Sequence, residues 1–142
     1  MENNPGLAQD LNRLCKETLV SHLGIEFMEV SEGRVVARMP VDHRTRQPQN
    51  ILHGGASLAL AETVGSAGSY IMVDREKYNV VGLEINANHV ESVSSGYVLA
   101  TARIIHQGKK THVWEVKITD ESGKLVSVCR ITNMVVKIKE DK

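Results

Sequence analysis

The chain has 142 residues, of which 42% are hydrophobic, enough for one compact domain without metals or disulfides. Its 17 basic and 17 acidic residues cancel, which argues against a protein that gathers nucleic acid or anionic membranes by overall charge. The first ten residues lack a signal-peptide pattern, and no run approaches the roughly 18 apolar residues of a membrane span. We therefore expect one cytosolic domain over 1–142, with an N-terminal helix at 1–23 and a core at 24–138.

The two cysteines, Cys15 and Cys129, stand far apart and form no C-x-x-C motif. This spacing predicts neither a zinc site nor a redox pair, and we expect no metal to be bound. Reduced packing thiols are the interpretation that fits a cytosolic protein.

The first part of the chain predicts a helix followed by a β-hairpin. Four leucines recur near helical spacing, which indicates an amphipathic helix over 7–23. They are Leu7, Leu11, Leu14 and Leu19. Apolar residues then alternate over 25–30 and 34–39, with a Glu-Gly turn at 32–33 between them, as in two paired strands. Pro40 is predicted to end the second strand.

A second helix is predicted over 51–70, where small and aliphatic residues leave almost no polar face, as is typical of a buried helix. Its small residues favour close approach of another helix, so we expect at least a dimer. Four segments rich in Val, Ile and Thr follow, joined by short turns. They span 80–90, 96–106, 111–119 and 125–138. Short connections require antiparallel pairing, which predicts an α+β fold with an antiparallel sheet wrapped around one long central helix.

Glu62 is the residue that does not fit the apolar pattern of the second helix. A carboxylate there is costly to desolvate unless it is paired or lies at a cleft, so both a structural role at a subunit boundary and a catalytic role are open. Ser66 lies one helical turn later on the same face. Gly54 and Gly55 begin the helix, either as a tight turn or as backbone N–H donors at the positive end of the helix dipole.

Glu62 and Gly54 are eight residues apart, about 12 Å along a helix, which is far for two groups that act on one carbonyl. We therefore expect the two groups to come from different subunits. Two such helices packed antiparallel about a two-fold axis would create two sites per dimer.

Several segments resemble the active-site region of the hotdog-fold thioesterases, in the branch of the enterobactin-proofreading, 1,4-dihydroxy-2-naphthoyl-CoA and phenylacetate-pathway thioesterases. The match covers roughly residues 23–136. The segments are Arg44-Thr45-Arg46-Gln47-Pro48, Ile51-Leu52-His53-Gly54-Gly55-Ala56-Ser57, Ala61-Glu62-Thr63-Val64-Gly65-Ser66, the stretch 81–89 and the stretch 106–114.

This resemblance implies a hotdog fold, a tetramer built from two dimers, and hydrolysis of acyl- or aryl-thioesters on CoA or on a carrier protein, without a metal or organic cofactor. It implies Glu62 as nucleophile or general base and the Gly54 N–H as donor to the thioester oxygen. By the same resemblance, His53 and Gln47 orient the thioester, and the Ser66 hydroxyl holds the hydrolytic water.

Contacts to the pantetheine and nucleotide of CoA are also implied by the resemblance. They are expected at Gly82, at His89, Val90, Glu91 and Ser92, and at His106, Gln107, Gly108, Lys109, Lys110 and Thr111. Close relatives often carry a basic residue where this chain has Glu91, so the predicted phosphate contacts are Lys109 and Lys110. As a residue pattern alone, that lysine pair fits an ordinary solvated turn equally well. His22, His43 and His112 are interpreted as surface or strand histidines.

Two other functions are compatible with such a fold. A non-catalytic acyl-CoA-binding module would have replaced the helix carboxylate, whereas Glu62 is present. A hotdog dehydratase needs an Asp and a His that move protons at adjacent carbons, and the second helix has no such pair. The acyl group stays open, because a pocket lined by Leu, Val, Met and Ala would accept flat aryl groups and aliphatic chains alike.

Overall fold

The computed structural model describes residues 2–141. Its helices are α1 (Pro5–Leu14), α2 (Leu19–His22) and α3 (Gly54–Met72). Its strands are β1 (Glu26–Ser31), β2 (Arg34–Pro40), β3 (Tyr78–His89), β4 (Tyr97–Gln107), β5 (Thr111–Asp120) and β6 (Leu125–Lys137). The strands form one sheet in the order β1-β2-β4-β5-β6-β3, with every neighbouring pair antiparallel. This sheet around one long helix confirms the predicted α+β hotdog fold.

Two glycines allow α3 to lie close to the sheet. A Cβ atom at Gly65 would overlap Ile131 of β6, and one at Gly68 would overlap the ring of Trp114 of β5. Trp114 and Ile131 are both fully buried beneath the helix. The small residues of α3 therefore serve helix-to-sheet packing, and the expectation that they serve contact with another helix is wrong for these two positions.

The N-terminal segment contains two helices, so the prediction of one helix over 7–23 is wrong. Glu17 takes a left-handed conformation with φ of 60°, which an α-helix cannot continue. Thr18 then caps α2, and its side chain and that of Ser21 form a reciprocal capping box. The break turns the chain so that α1 and α2 both lie against one wall of the cavity described below.

The third helix begins at Gly54, three residues later than predicted, because His53 caps it. The Nδ1 atom of His53 accepts the Gly55 N–H at 2.8 Å. The loop before the helix is tied back on itself, since the His53 N–H donates to the Thr45 carbonyl and the Gln47 N–H to the Ile51 carbonyl, both at 2.8 Å. These bonds set where the helix starts.

Strand β3 lies at an edge of the sheet beside β6, although β4 follows it in sequence. The segment between β3 and β4 crosses the end of the sheet, where the Val90 N–H bonds to the Val126 carbonyl and the Leu52 N–H to the Val93 carbonyl. Within residues 2–141, the other edge of β3 pairs with no strand. No helix of that same range has the length and apolar character that crossing a membrane requires.

Candidate active site

Glu62 lies in the middle of α3, and although that helix is predicted to be buried, the Glu62 side chain is exposed in the single chain. The cause is its position over the edge strand β3. A Cβ atom at Gly82 would overlap the Glu62 Oε1 atom, and the strand register shifts between Gly82 and Glu84. Gly82 is thus brought next to Glu62, and its missing side chain makes the room that the carboxylate occupies.

A cavity of about 430 Å³ opens beside this carboxylate. Glu62, Thr63 and Ser66 lie on its α3 wall. Its other walls come mainly from apolar side chains of α1, α2 and β1. These include Leu11, Leu14, Leu19, Leu23 and Phe27, with Tyr70 of α3 beside them. The expected lining by Leu, Val and Ala is present, but aromatic rings take the place of the expected methionines. Glu62 and Ser66 therefore face an apolar cleft together.

The start of α3 leaves one backbone donor free. His53 uses the Gly55 N–H, and the Ala56 N–H bonds to the His53 carbonyl at 3.0 Å. Within residues 2–141, the Gly54 N–H has no hydrogen-bond partner. Because His53 Nδ1 accepts, its ring carries hydrogen on Nε2 when neutral, which leaves that N–H as a second donor near Gly54.

A second cavity, of about 450 Å³, contains Gly54 and one predicted group of CoA contacts. Its lining includes His89, Val90, Glu91 and Ser92. His89 lies over Gly54, since a Cβ atom there would come 2.7 Å from its Nε2 atom, and His89 Nδ1 is 2.6 Å from Ser127 Oγ. Glu91 pairs with Lys124 at 3.1 Å, which offsets its negative charge.

Gln47 lies on the loop that leads into α3 and is partly buried. Its Oε1 atom accepts the Gln49 N–H at 2.6 Å, so the side-chain oxygen serves the loop. The amide nitrogen is the part of Gln47 that remains for a substrate oxygen.

The second predicted group of CoA contacts lies at the other end of the helix. A third cavity, of about 530 Å³, is lined by Gln107, Gly108 and Lys109 together with Met72 and Asp74. Lys109 and Lys110 are both exposed on the turn between β4 and β5. The 19 residues of α3 span about 28 Å, so one chain does not join this group to Gly54.

His106 and Thr111, which are also among the predicted CoA contacts, belong to the same turn. The His106 ring lies over Gly108, where a Cβ atom would come 2.8 Å from its Nε2 atom. The Thr111 carbonyl accepts the Gly108 N–H at 2.8 Å. Residues 106–111 therefore act as one structured turn. Among residues 2–141, no group of three or more His, Cys, Asp or Glu side chains is placed to hold a metal ion.

Comparison with known proteins identifies the family. Residues 49–127 match the model of the thioesterase superfamily. The chain belongs to this superfamily. The thioesterase is 44% identical to the proofreading thioesterase EntH of Klebsiella pneumoniae over 89% of this chain and 91% of that protein. It is 42% identical to the 1,4-dihydroxy-2-naphthoyl-CoA hydrolase of Escherichia coli over 89% of this chain and 92% of that one.

Solved structures of thioesterases superpose closely on this chain. A thioesterase of Pseudomonas aeruginosa aligns with a TM-score of 0.90 and 44% identity over 92% of this chain and 94% of that one. A thioesterase of Haemophilus influenzae aligns with a TM-score of 0.89 and 47% identity over 94% of this chain and 92% of that one. Thioester hydrolysis is therefore the class of reaction that this enzyme carries out.

A buried polar cluster, not predicted from the sequence, lies beneath the face of α3 that carries Glu62 and Ser66. Asn133 of β6 and Ser69 of α3 are fully buried, and His112 of β5 is 3% exposed. The interpretation of His112 as a strand residue is confirmed, but it lies inside the protein. Burial, with a contribution from the charge of His106, lowers the pKa of His112. A usable signal was Ser69, which lies three residues after Ser66 and so shares its helical face.

Proposed function

We propose that this thioesterase hydrolyses acyl- or aryl-thioesters of CoA or of a carrier protein, with Glu62 as its catalytic carboxylate. The observation that carries the proposal is the position of Glu62, held against Gly82 at the wall of an apolar cavity beside Ser66. An apolar cleft with few polar groups suits an acyl chain whose thioester carbon lies at the polar wall.

Two routes are open to this carboxylate. As a general base, Glu62 removes a proton from water, the water oxygen bonds to the thioester carbon, and the carbon–sulfur bond breaks to release a thiol. As a nucleophile, a Glu62 oxygen bonds to that carbon and expels the thiolate, and water then cleaves the mixed anhydride. In both routes the Gly54 N–H stabilises the negative oxygen of the tetrahedral state.

We further propose that each active site is shared by two chains. Glu62 lies over the edge strand β3, so a second copy that pairs with β3 would meet its side chain. A two-fold axis near the middle of β3 would make the two α3 helices antiparallel and bring Glu62 of one chain toward Gly54 of the other. The exposed apolar side chains of Val81 and Leu83, 49% and 59% exposed, support burial of this edge. Two such dimers make the proposed homotetramer.

The same pairing of two chains through β3 would bring together the two separated groups of predicted CoA contacts, at 89–92 and at 106–111. With antiparallel helices, the turn that carries Lys109 and Lys110 in one chain comes near His89 and Gly54 of the other. Neither lysine forms an ion pair within residues 2–141, so both ammonium groups are available for phosphates. We propose no resident metal or organic cofactor, and neither nucleic acid nor membrane as a partner.

The substrate class and the location follow from the same features. One relative is named as a hydrolase of 1,4-dihydroxy-2-naphthoyl-CoA, and Phe27 and Tyr70 add aromatic surface that suits such a flat acyl group. A cytosolic location is supported by two free cysteines, Cys15 and Cys129. Burial raises the pKa of Cys129 to about 11, as for an inert packing thiol.

Replacement of Glu62 by Gln tests the proposal. Glu62→Gln keeps the shape of the side chain and removes its basicity, so kcat for benzoyl-CoA should fall about 100-fold or more while KM changes little. Steady-state hydrolysis followed by thiol release measures both constants. Glu115→Gln on β5, outside the three cavities, is the control and should keep wild-type kinetics. A folded Glu62→Gln enzyme with kcat within about threefold of wild type would refute the role of Glu62.

A further inference from the structure

The polar face of α3 lies over a pair of neighbouring residues in β3 and β6. Glu62, Ser66 and Ser69 recur at helical spacing and share this face. Beneath it, Gly82 of β3 and Asn133 of β6 are directly paired in register. Glu62 lies against Gly82, whereas Ser66 and Ser69 both hydrogen-bond to Asn133. The Gly82–Asn133 pair therefore contacts both the Glu62 carboxylate and the neighbouring Ser66 hydroxyl.

Groups that have only one hydrogen-bonding role fix the orientation of Asn133. The Gly65 carbonyl can only accept, so the Asn133 atom at 3.1 Å from it is the amide nitrogen. The other hydrogen of that nitrogen points to Ser69 Oγ at 3.0 Å. Both amide hydrogens are then used, and Asn133 Oδ1 faces Ser66 Oγ at 3.5 Å, a weak contact that is longer than the roughly 2.5–3.0 Å of an ordinary O–H···O hydrogen bond.

Ser69 anchors the amide from the interior side. Its oxygen accepts from Trp114 Nε1 at 2.8 Å and from Asn133, so its own hydrogen goes to His112 Nδ1 at 3.0 Å. His112 then has to be neutral with hydrogen on Nε2. Every buried side-chain nitrogen and oxygen within residues 2–141 has a partner, which makes this cluster a rigid support.

We propose that Asn133 is a positioning residue that fixes the direction of the Ser66 hydroxyl. Since Asn133 Oδ1 can only accept, Ser66 donates its hydrogen inward and presents lone pairs toward Glu62. An ionised Glu62 also only accepts, so these two groups cannot bond directly to each other. A water between them donates one hydrogen to each and turns its lone pairs outward, toward a thioester carbon in the cavity. This inference rests on the proposed function.

A double-mutant cycle tests this role. Asn133→Leu removes the acceptor, so Ser66 becomes free to donate to Glu62 and displace the water. We expect kcat for benzoyl-CoA to fall about tenfold with KM within about twofold of wild type. In a Ser66→Ala background the Asn133→Leu change should have almost no further effect on kcat, because no hydroxyl is left to orient. Independent, multiplied losses in the double variant would overturn the proposal.

A matched control separates this effect from loss of packing. Cys129 is buried on the same face of β6, and Cys129→Ala should lower the melting temperature while kcat stays within about twofold of wild type. A similar fall in kcat for Cys129→Ala would assign the Asn133 effect to general destabilisation.

Two further variants keep the test decisive if Asn133→Leu does not fold. Asn133→Val offers a β-branched side chain that suits a strand, and it should lose kcat in the same way. Independently, Ser66→Ala should lower kcat about tenfold and Ser66→Thr should keep most of it, since Thr retains the hydroxyl. Wild-type kcat in Ser66→Ala would overturn the proposal whatever the Asn133 variants do. If Glu62→Gln loses activity while Ser66→Ala keeps wild-type activity, this inference is refuted and the proposed function is not.

Discussion

Gly54 is the residue at which the backbone itself is expected to take part in the chemistry. It is the first residue of α3, where an N–H group has no partner within the helix. His53 before it has φ of −70° and ψ of 130°, the extended conformation that a following proline requires. Position 54 can therefore accept a proline without a change in the path of the chain.

A pair of variants isolates this N–H group. Gly54→Pro removes the N–H, whereas Gly54→Ala keeps it, and both place a Cβ atom against the His89 ring, which has to shift in both variants. Loss of one oxyanion donor costs about 100-fold or more in kcat, so Gly54→Pro should fall by that factor relative to Gly54→Ala. Circular dichroism and steady-state kinetics on both proteins make the comparison. Equal kcat values for the two variants would exclude the Gly54 N–H as the donor.

Strand β3 is the element on which the proposed shared site depends. Its 12 residues have one paired and one unpaired edge within residues 2–141. An exposed edge of that length is a template for a further strand, and antiparallel pairing with a second copy satisfies it. The proposed dimer and the position of Glu62 over this edge would then both follow from the same strand.

A new charge on β3 tests this arrangement. Leu83→Glu replaces a side chain that is 59% exposed, and a two-fold axis would bring the two new carboxylates near each other. We expect dimer formation to weaken about tenfold or more and activity to fall with it. Sedimentation velocity and kinetics over a range of protein concentrations measure both. Met28→Glu on β1, at the opposite edge and 42% exposed, should leave the dimer intact, and an unaffected Leu83→Glu dimer would argue against pairing through β3.

Elements with local signals could be predicted from the sequence, and those set by distant contacts could not. Alternating Val, Ile and Thr located the strands to within a few residues, and small apolar residues located α3. The position of β3 beside β6 depends on pairing between residues 38 (His89 and Ser127) to 59 (Tyr78 and Lys137) positions apart, which periodicity does not encode. The break at Glu17 also escaped, because the leucine spacing continues across it.

The residues of the candidate site also divide into those that local spacing predicts and those that depend on distant contacts. Gly54, Ser66 and Glu62 carry helical spacing and could be assigned together. Asn133 could not, because its hydrogen bond to Ser66 joins α3 to β6 across 67 positions of the chain. A single amide in a strand has no local periodicity that would distinguish its role.

At the scale of the whole molecule, the enzyme is expected to work only as a dimer. Within one chain, Glu62 and Gly54 stand about 12 Å apart along α3, and the lysine turn lies beyond the far end of the helix. The proposed antiparallel pairing would bring the carboxylate of each chain to the helix start of the other. Each site would then combine Glu62 of one chain with Gly54 of its partner, so a variant of each residue can test whether the site is shared.

Mixed dimers provide that measurement. Chains with Glu62→Gln and chains with Gly54→Pro are each expected to be inactive alone. In a mixed dimer with shared sites, one site carries both lesions and the other carries neither, so that one site is intact. Random exchange makes about half of the dimers mixed, and recovery should approach about one quarter of wild-type activity. Unfolding and refolding an equimolar mixture, followed by benzoyl-CoA hydrolysis, gives the value, with each variant refolded alone as control. If each site lay within a single chain, every site in the mixture would carry one lesion and no activity would return.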